Sequence, residues 1–166
     1  MPARRFLLLF LLPGFLSLAS PALAQQVRVV KLPELQRLLA RPGDTTYVVN
    51  FWATWCKPCL EELPAFEQLR ARHRRDKVQV LLISLDFRSK LESKVQPFVQ
   101  QRRLASPVWL LNETDPNVFI DQVDPAWSGA LPFTLIFNNA RKQRKSFERP
   151  LTLAELEAEL KRTFSL

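Results

Sequence analysis

Apolar runs of strand length alternate with helix-length amphipathic segments, and this alternation constrains the fold more than any other feature of the sequence. The run from Val78 to Leu85 is almost entirely apolar, as expected of a strand buried on both faces of a sheet. With 166 residues, of which 47% are hydrophobic, the chain can form one domain with a full core. The sequence therefore predicts a single α/β domain. Further strands are predicted at 27–30, 47–52, 108–111, 133–137 and 144–147, with helices at 33–40, 56–72, 91–103 and 115–123 and a last helix capped by Thr152 and Glu155.

The first 24 residues have the features of an export signal. Two arginines precede an apolar stretch at 6–18, and Ala22–Leu23–Ala24 supplies the small residues that a signal peptidase reads. We therefore predict cleavage before Gln25, a domain over 25–166, and export, most simply to a periplasm. The apolar stretch is shorter than the roughly 20 residues of a membrane span. An uncleaved anchor is the alternative, and only in that case do we expect membrane contact.

The chain is basic, with a net charge of +8, and basic residues cluster at 70–77 and 141–145. A nucleic-acid-binding surface would interleave aromatic residues with such charges, and these clusters contain none. We therefore interpret both clusters as solvated surface and predict no nucleic-acid partner. Weak attraction to acidic partners or anionic membranes stays open.

The only two cysteines, Cys56 and Cys59, flank Lys57 and Pro58 and directly follow an apolar run. This spacing predicts that Cys56 lies at a helix N-terminus, where free N–H groups and the helix dipole favour a thiolate. Lys57 favours the same charge state. Cys59 lies one turn further into the helix and is expected to be more buried. That position suits a resolving cysteine, which attacks the mixed disulfide that Cys56 forms.

Three alternatives compete for the cysteine pair. As a structural staple, so short a loop would constrain the unfolded chain by only about 2 kcal/mol. As a zinc site, the pair lacks two ligands, since the only further candidate is His73, interpreted as a surface residue. Export to an oxidising compartment argues against two unreactive thiols. No metal or other cofactor is expected.

The segment Phe51–Cys59 resembles the active-site segment of thioredoxin-like proteins. It is most similar to the TlpA/ResA branch of exported bacterial thiol–disulfide oxidoreductases, and the resemblance extends over about 27–164. It implies a thioredoxin-like fold, with a central mixed sheet flanked by helices. The long gap between Cys59 and Pro132 leaves room for an extra strand and helix. That insertion is typical of this branch and absent from plain thioredoxin.

The resemblance also implies roles for residues around the cysteines. Leu131–Pro132 looks like the family's cis-proline loop, in which the proline packs beside the cysteine pair and the preceding residue offers backbone to an extended substrate. Trp55 is implied as a second substrate contact. Glu62 matches an acidic residue that influences cysteine ionisation, and the alternative is a solvent-facing glutamate paired with an arginine. Asn50 stands where ordinary thioredoxin has a buried aspartate, which leaves Glu62 as the main candidate proton carrier.

The implied function is the reduction of protein disulfides outside the cytoplasm, with a membrane-bound or soluble thiol donor that re-reduces the pair. An oxidant or isomerase role stays open, because direction depends on the reduction potential. A peroxiredoxin-like thiol peroxidase is one rival, although it would place Thr or Ser where this chain has Ala53. A non-catalytic Sco-type copper-delivery module is another, although it needs a wider cysteine spacing and a later histidine. A fold used only for protein binding is the third.

Overall fold

The computed structural model describes residues 25–165, and the predicted signal peptide lies outside them. Within this range no helix has the length and apolar character that a membrane span needs. The described strands are β1 (Arg28–Val30), β2 (Thr46–Trp52), β3 (Val78–Ser84), β4 (Val108–Leu111), β5 (Phe133–Asn138) and β6 (Gln143–Phe147). The described α-helices are α1 (Leu32–Leu39), α2 (Lys57–Arg72), α3 (Gln96–Arg102), α4 (Ile120–Val123) and α5 (Leu153–Phe164).

The six strands form one mixed sheet with the order β1-β4-β3-β2-β5-β6. The pairs β1–β4, β4–β3 and β3–β2 are parallel, whereas β5 runs antiparallel to both β2 and β6. All seven residues of β2 are buried, because this strand lies inside the sheet with core on both faces. The mixed sheet confirms the predicted thioredoxin-like α/β fold. Between α2 and Pro132 the chain forms β3, α3, β4 and α4, which leaves room for the extra strand and helix predicted there.

Alternate residues of β2 point to opposite faces of the sheet and divide the core in two. Val48 and Trp52 belong to a cluster that includes both cysteines and the apolar faces of α2 and α5. Val49 and Phe51 belong to a cluster on the other face, which α1 and α4 cover. The cysteine pair is therefore built into one of the two cores.

The helices α2 and α5 follow the sequence prediction closely. α2 continues through Pro64, which is exposed and has no N–H to donate to the carbonyl of Leu60. At the start of α5, the Thr152 hydroxyl accepts a hydrogen bond from the N–H of Glu155. The Glu155 carboxylate accepts one from the N–H of Thr152, which confirms the predicted capping box.

Two predicted helices are wrong in detail. The segment at 91–103 begins as a π-helical turn over Leu91–Val95 and becomes α-helical only from Gln96. In a regular α-helix the ring of Pro97 would crowd the carbonyl of Ser93, and the wider turn before Pro97 relieves this crowding. The segment at 115–123 divides into a 3-10 turn, Pro116–Val118, and the short helix α4.

The sequence pair Asn138–Asn139 predicts a hairpin turn between the last two strands, and this turn is also displaced in the structure. Asn138 is the last residue of β5 and pairs with Gln143. Its side-chain amide donates to Asp44 at 3.1 Å and to Thr46 at 3.2 Å, which holds it in the sheet. The turn therefore lies at 139–142 and closes through Lys142, whose φ is 53°.

Candidate active site

The cysteine pair lies where the central strand β2 leads into α2. Cys56 is the N-cap residue of α2, and its N–H donates to the carbonyl of Ala53 at 3.1 Å. The structure joins Cys56 and Cys59 in a disulfide, with the two Cα atoms 5.3 Å apart. Cys59 is fully buried and Cys56 is 6% exposed, in the order that the sequence predicts. Solvent therefore reaches Cys56 in preference to Cys59.

The residues between and before the cysteines face solvent. Trp55 is 69% exposed, and Pro58 lies in the first turn of α2, where a missing N–H costs little. The ammonium group of Lys57 lies 3.8 Å from the carboxylate of Glu61, and both side chains are mostly exposed. Solvent and Glu61 together weaken the effect of Lys57 on Cys56.

The peptide bond between Leu131 and Pro132 is cis, which confirms the sequence prediction. β5 begins directly after Pro132, and its first residue, Phe133, pairs with Phe51 of β2. Because β2 leads to the cysteines, this register brings Pro132 to the same end of the sheet. Leu131 and Trp55 line one cavity of about 270 Å³ at that end.

Glu62 lies inside the protein, 5% exposed, one turn of α2 after Cys59. Its Oε1 accepts a hydrogen bond from the side-chain amide of Asn50 at 2.8 Å, and its Oε2 accepts one from the N–H of Leu151 at 2.7 Å. Burial raises the pKa of Glu62 to about 7, although the Leu151 N–H and the Asn50 amide act in the opposite direction. The alternative of a solvent-facing glutamate paired with an arginine is therefore wrong. This carboxyl group can gain or lose a proton near neutral pH.

Asn50 connects Glu62 to the neighbouring strand. Its Nδ2 also donates to the hydroxyl of Thr134 at 3.1 Å, and its buried Oδ1 has no partner among the described residues. Asn50 and Thr134 face each other directly in the β2–β5 register, so strand pairing could have predicted this contact. The contact from Leu151 gives no such signal, because it comes from a loop 89 residues away in sequence.

A second buried carboxylate, Asp86, was not predicted from the sequence. It is 3% exposed and follows β3. Its two oxygens accept hydrogen bonds from the N–H of Thr54 at 2.9 Å, the hydroxyl of Thr54 at 2.5 Å and the hydroxyl of Ser84 at 2.8 Å. Asp86 thus holds the loop that carries Trp55 and Cys56. Its position was the available signal, since parallel strands end at one edge of the sheet and polar residues there meet.

His73 lies at the other end of α2. Its ring nitrogens lie 2.7 Å from Asp76 and 3.1 Å from Glu157, and its side chain is 13% exposed, so His73 is half-buried between two carboxylates near the surface. The 16 residues of α2 extend about 24 Å, so His73 is too far from the cysteines to bind the same metal ion. Residues 25–165 contain no cluster of three or more His, Cys, Asp or Glu side chains that could hold a metal ion.

The mixed sheet, the disulfide at the start of α2 and the cis bond before Pro132 together define a thioredoxin-like protein. The chain belongs to the AhpC/TSA family, whose sequence pattern matches residues 22–149.

Curated relatives share shorter stretches of sequence. The chain is 39% identical over 61 residues to the thioredoxin-like protein YneN of Bacillus subtilis, a stretch that covers 37% of this chain and 35% of that protein. It is 26% identical over 113 residues to the thiol-disulfide oxidoreductase ResA of Geobacillus thermodenitrificans, covering 68% of this chain and 59% of that one. The chain therefore spans about a third of the length of the first relative and somewhat more than half of the length of the second.

Solved structures share the fold. A thioredoxin-related protein from Neisseria meningitidis serogroup B superposes with a TM-score of 0.65 at 24% identity, covering 77% of this chain and 91% of that one. StoA from Bacillus subtilis gives a TM-score of 0.56 at 22% identity, covering 71% of this chain and 84% of that one.

Proposed function

We propose that this protein is a thiol–disulfide oxidoreductase that reduces protein disulfides outside the cytoplasm. The observation that carries the proposal is the disulfide at the start of α2, which joins a cysteine near solvent to a fully buried one. A helix N-terminus favours the thiolate of reduced Cys56, since its free N–H groups and dipole favour an anion. The similarity to ResA, which is named a thiol-disulfide oxidoreductase, supports thiol–disulfide exchange as the reaction.

The proposed reaction transfers two electrons from the reduced pair to a substrate. The Cys56 thiolate attacks one sulfur of a substrate disulfide, forms a mixed disulfide and releases the other sulfur as a thiolate. Cys59 then attacks the sulfur of Cys56. The Cys56–Cys59 bond forms again and the second substrate thiolate leaves. A separate thiol donor must reduce the pair before the next turnover, and the chemistry uses no metal or other cofactor.

Glu62 is the proposed acceptor for the proton that Cys59 loses when it attacks. A pKa of about 7 lets this carboxyl group take the proton and release it again at neutral pH. Glu62 and Leu151 line a surface cleft of about 420 Å³, which offers the proton a way to water.

The location and the direction of exchange are also part of the proposal. The predicted signal peptide supports a periplasmic location, and mass spectrometry of the exported protein should find Gln25 at its N-terminus. For the direction, the reduction potential should be measured in glutathione buffers. A value well above about −200 mV would contradict a reductase.

The central experiment is the reduction of insulin disulfides by dithiothreitol with the purified protein as catalyst. We expect Cys56→Ser to abolish catalysis. When the reduced protein is freed of dithiothreitol and mixed with insulin, Cys59→Ala should instead accumulate a mixed disulfide between Cys56 and insulin, visible on non-reducing gels. Equal rates for the wild type and Cys56→Ser would refute the proposal.

A thiol peroxidase is the second reading to test in the same series. Ala53 occupies the position three residues before Cys56, and the nearby hydroxyl of Thr54 is already bonded to Asp86. We therefore expect no turnover of hydrogen peroxide by the reduced protein. Turnover that depends on Cys56 would favour the peroxidase.

A further inference from the structure

Two aromatic side chains stand out from the surface beside the disulfide. Trp55 and Phe87 are the most exposed large apolar residues described, at 69% and 66%. Trp55 directly precedes Cys56, and both aromatics line the same two cavities. They therefore form one ridge next to Cys56, with a groove on each side.

The two grooves differ in chemistry. The apolar groove, of about 270 Å³, runs from the ridge toward Leu131 over a floor that includes Leu111, Phe119 and Trp127. Its lining includes one positive residue, Arg88, and one negative residue at the rim, Glu113. The basic groove, of about 670 Å³, runs from the ridge to the segment before α3 and is lined by Lys90, Lys94 and Phe98, among others.

The positive charge of the basic groove is uncompensated. Lys90 and Lys94 are exposed, and neither lies within 4 Å of a carboxylate of the described residues. The one carboxylate in its lining is Asp86, which is buried and occupied by hydrogen bonds from Thr54 and Ser84. Lys57 differs, because Glu61 lies beside it.

We propose that the substrate is an extended polypeptide segment whose reactive cysteine has a bulky apolar residue on one side and acidic residues on the other. The apolar residue enters the apolar groove and loses its contact with water. The acidic residues lie over Lys90 and Lys94, which steer encounter and fix the direction of the segment. This proposal rests on the proposed function, since both grooves meet at the residue before Cys56.

The test uses two synthetic peptides that carry the same mixed disulfide on a central cysteine, with phenylalanine on one side. The other side carries two glutamates in one peptide and two lysines in the other. We expect the reduced wild type to act on the glutamate peptide with a kcat/KM about tenfold higher at low salt, and the preference should shrink in about 0.5 M NaCl. Replacing phenylalanine with serine should lower kcat/KM at every salt concentration.

Charge reversal in the protein tests the assignment to the groove. Lys90→Glu with Lys94→Glu should reverse the preference, and Lys90→Gln with Lys94→Gln should remove it. Lys142→Glu with Lys161→Glu makes the same charge change on residues that do not line the groove, and it should leave the preference intact. Equal rates for the two peptides, or a reversal by the control pair, would overturn the inference.

A small neutral disulfide, hydroxyethyl disulfide, separates this inference from the proposed function. The wild type and the control pair, Lys142→Glu with Lys161→Glu, should reduce it equally. If the wild type fails to reduce it, the proposed function is wrong. If the wild type reduces it but does not distinguish the charged peptides, only the inference about the grooves is wrong.

Discussion

Two carboxylates are buried close to the disulfide segment, Glu62 on α2 and Asp86 after β3, and the protein holds them differently. Glu62 accepts two hydrogen bonds, one from an amide on β2 and one from a distant loop. Asp86 accepts three, and two of them come from the single residue Thr54. Similar burial therefore serves two purposes. Asp86 ties down the loop that carries Trp55, whereas Glu62, with fewer donors and a raised pKa, is suited to exchange a proton.

The largest effect is expected from Asn50→Asp, which would break the Glu62 arrangement. The substitution replaces a donor by a second carboxylate about 2.8 Å from Glu62. At pH 8 two neighbouring buried charges should lower the free energy of unfolding by about 3–5 kcal/mol. At pH 5 the loss should be much smaller, because protonated Glu62 can then donate to the new carboxylate. Urea unfolding of the oxidised protein at both pH values checks this, and an equal loss at both would contradict it.

Glu62→Gln keeps the shape of the side chain and removes its ionisable carboxyl group, so it tests the titration of Glu62 alone. The folded protein keeps the Glu62 proton up to a pKa of about 7, whereas the unfolded chain releases it near 4.5. The contribution to stability is therefore greatest at low pH and is lost as pH rises through this window. From pH 5 to 8 the wild type should lose about 2–3 kcal/mol of unfolding free energy, and Glu62→Gln should not show that loss.

The control for this measurement is Glu61→Gln, on the exposed side of the same helix, which should keep the wild-type slope. Asp44 and Glu155 have lowered pKa values, so their contribution to the free energy of unfolding is already complete above about pH 4.5. They therefore add no slope between pH 5 and pH 8. An unchanged slope in Glu62→Gln would show that another group titrates.

Asp86→Asn tests the other member of the pair. An amide has one acceptor oxygen and cannot serve all three donors, so we expect a loss of about 1–2 kcal/mol. Faster hydrogen exchange at the N–H of Thr54 should accompany it. Thr54→Val is the matched variant, since it removes only the hydroxyl and keeps the N–H bond to Asp86. Unchanged exchange at Thr54 in Asp86→Asn would mean that the carboxylate does not hold the loop.

The environments of the two carboxylates could not be predicted from the sequence, whereas several other features could. Short-range patterns predicted β2, β3 and the capped helix α5, because each depends on residues close together in the chain. The same is true of Cys56 and Cys59, whose chemistry depends on a spacing of three residues. Pro132 was found through the resemblance of its loop to a known family.

What the sequence left open depends on contacts between distant residues. The burial of Glu62 requires the loop at Leu151, 89 residues later, to cover its carboxylate. Asp86 meets Thr54 only because β2 and β3 pair in one register, with Trp52 beside Ser84. His73 contacts Glu157 of α5, which no local pattern indicates. The helix-like segments near 91 and 115 each divide into two short turns, and the hydrophobic pattern of the sequence does not distinguish a π or 3-10 turn from an α-helical one.

The smallest effect is expected from Lys57→Gln, on the solvent side of the same segment. Both buried carboxylates act where water is excluded, whereas the Lys57 ammonium is exposed and lies beside Glu61. In water, two charges several ångströms apart interact by less than about 1 kcal/mol, so the pH midpoint for alkylation of reduced Cys56 should rise by about half a pH unit or less. Iodoacetamide kinetics measure this midpoint, and Glu61→Gln should move it slightly the other way. A rise of more than one pH unit would mean that an exposed side chain sets the ionisation of Cys56, and the contrast between buried and exposed charges would no longer hold at this site.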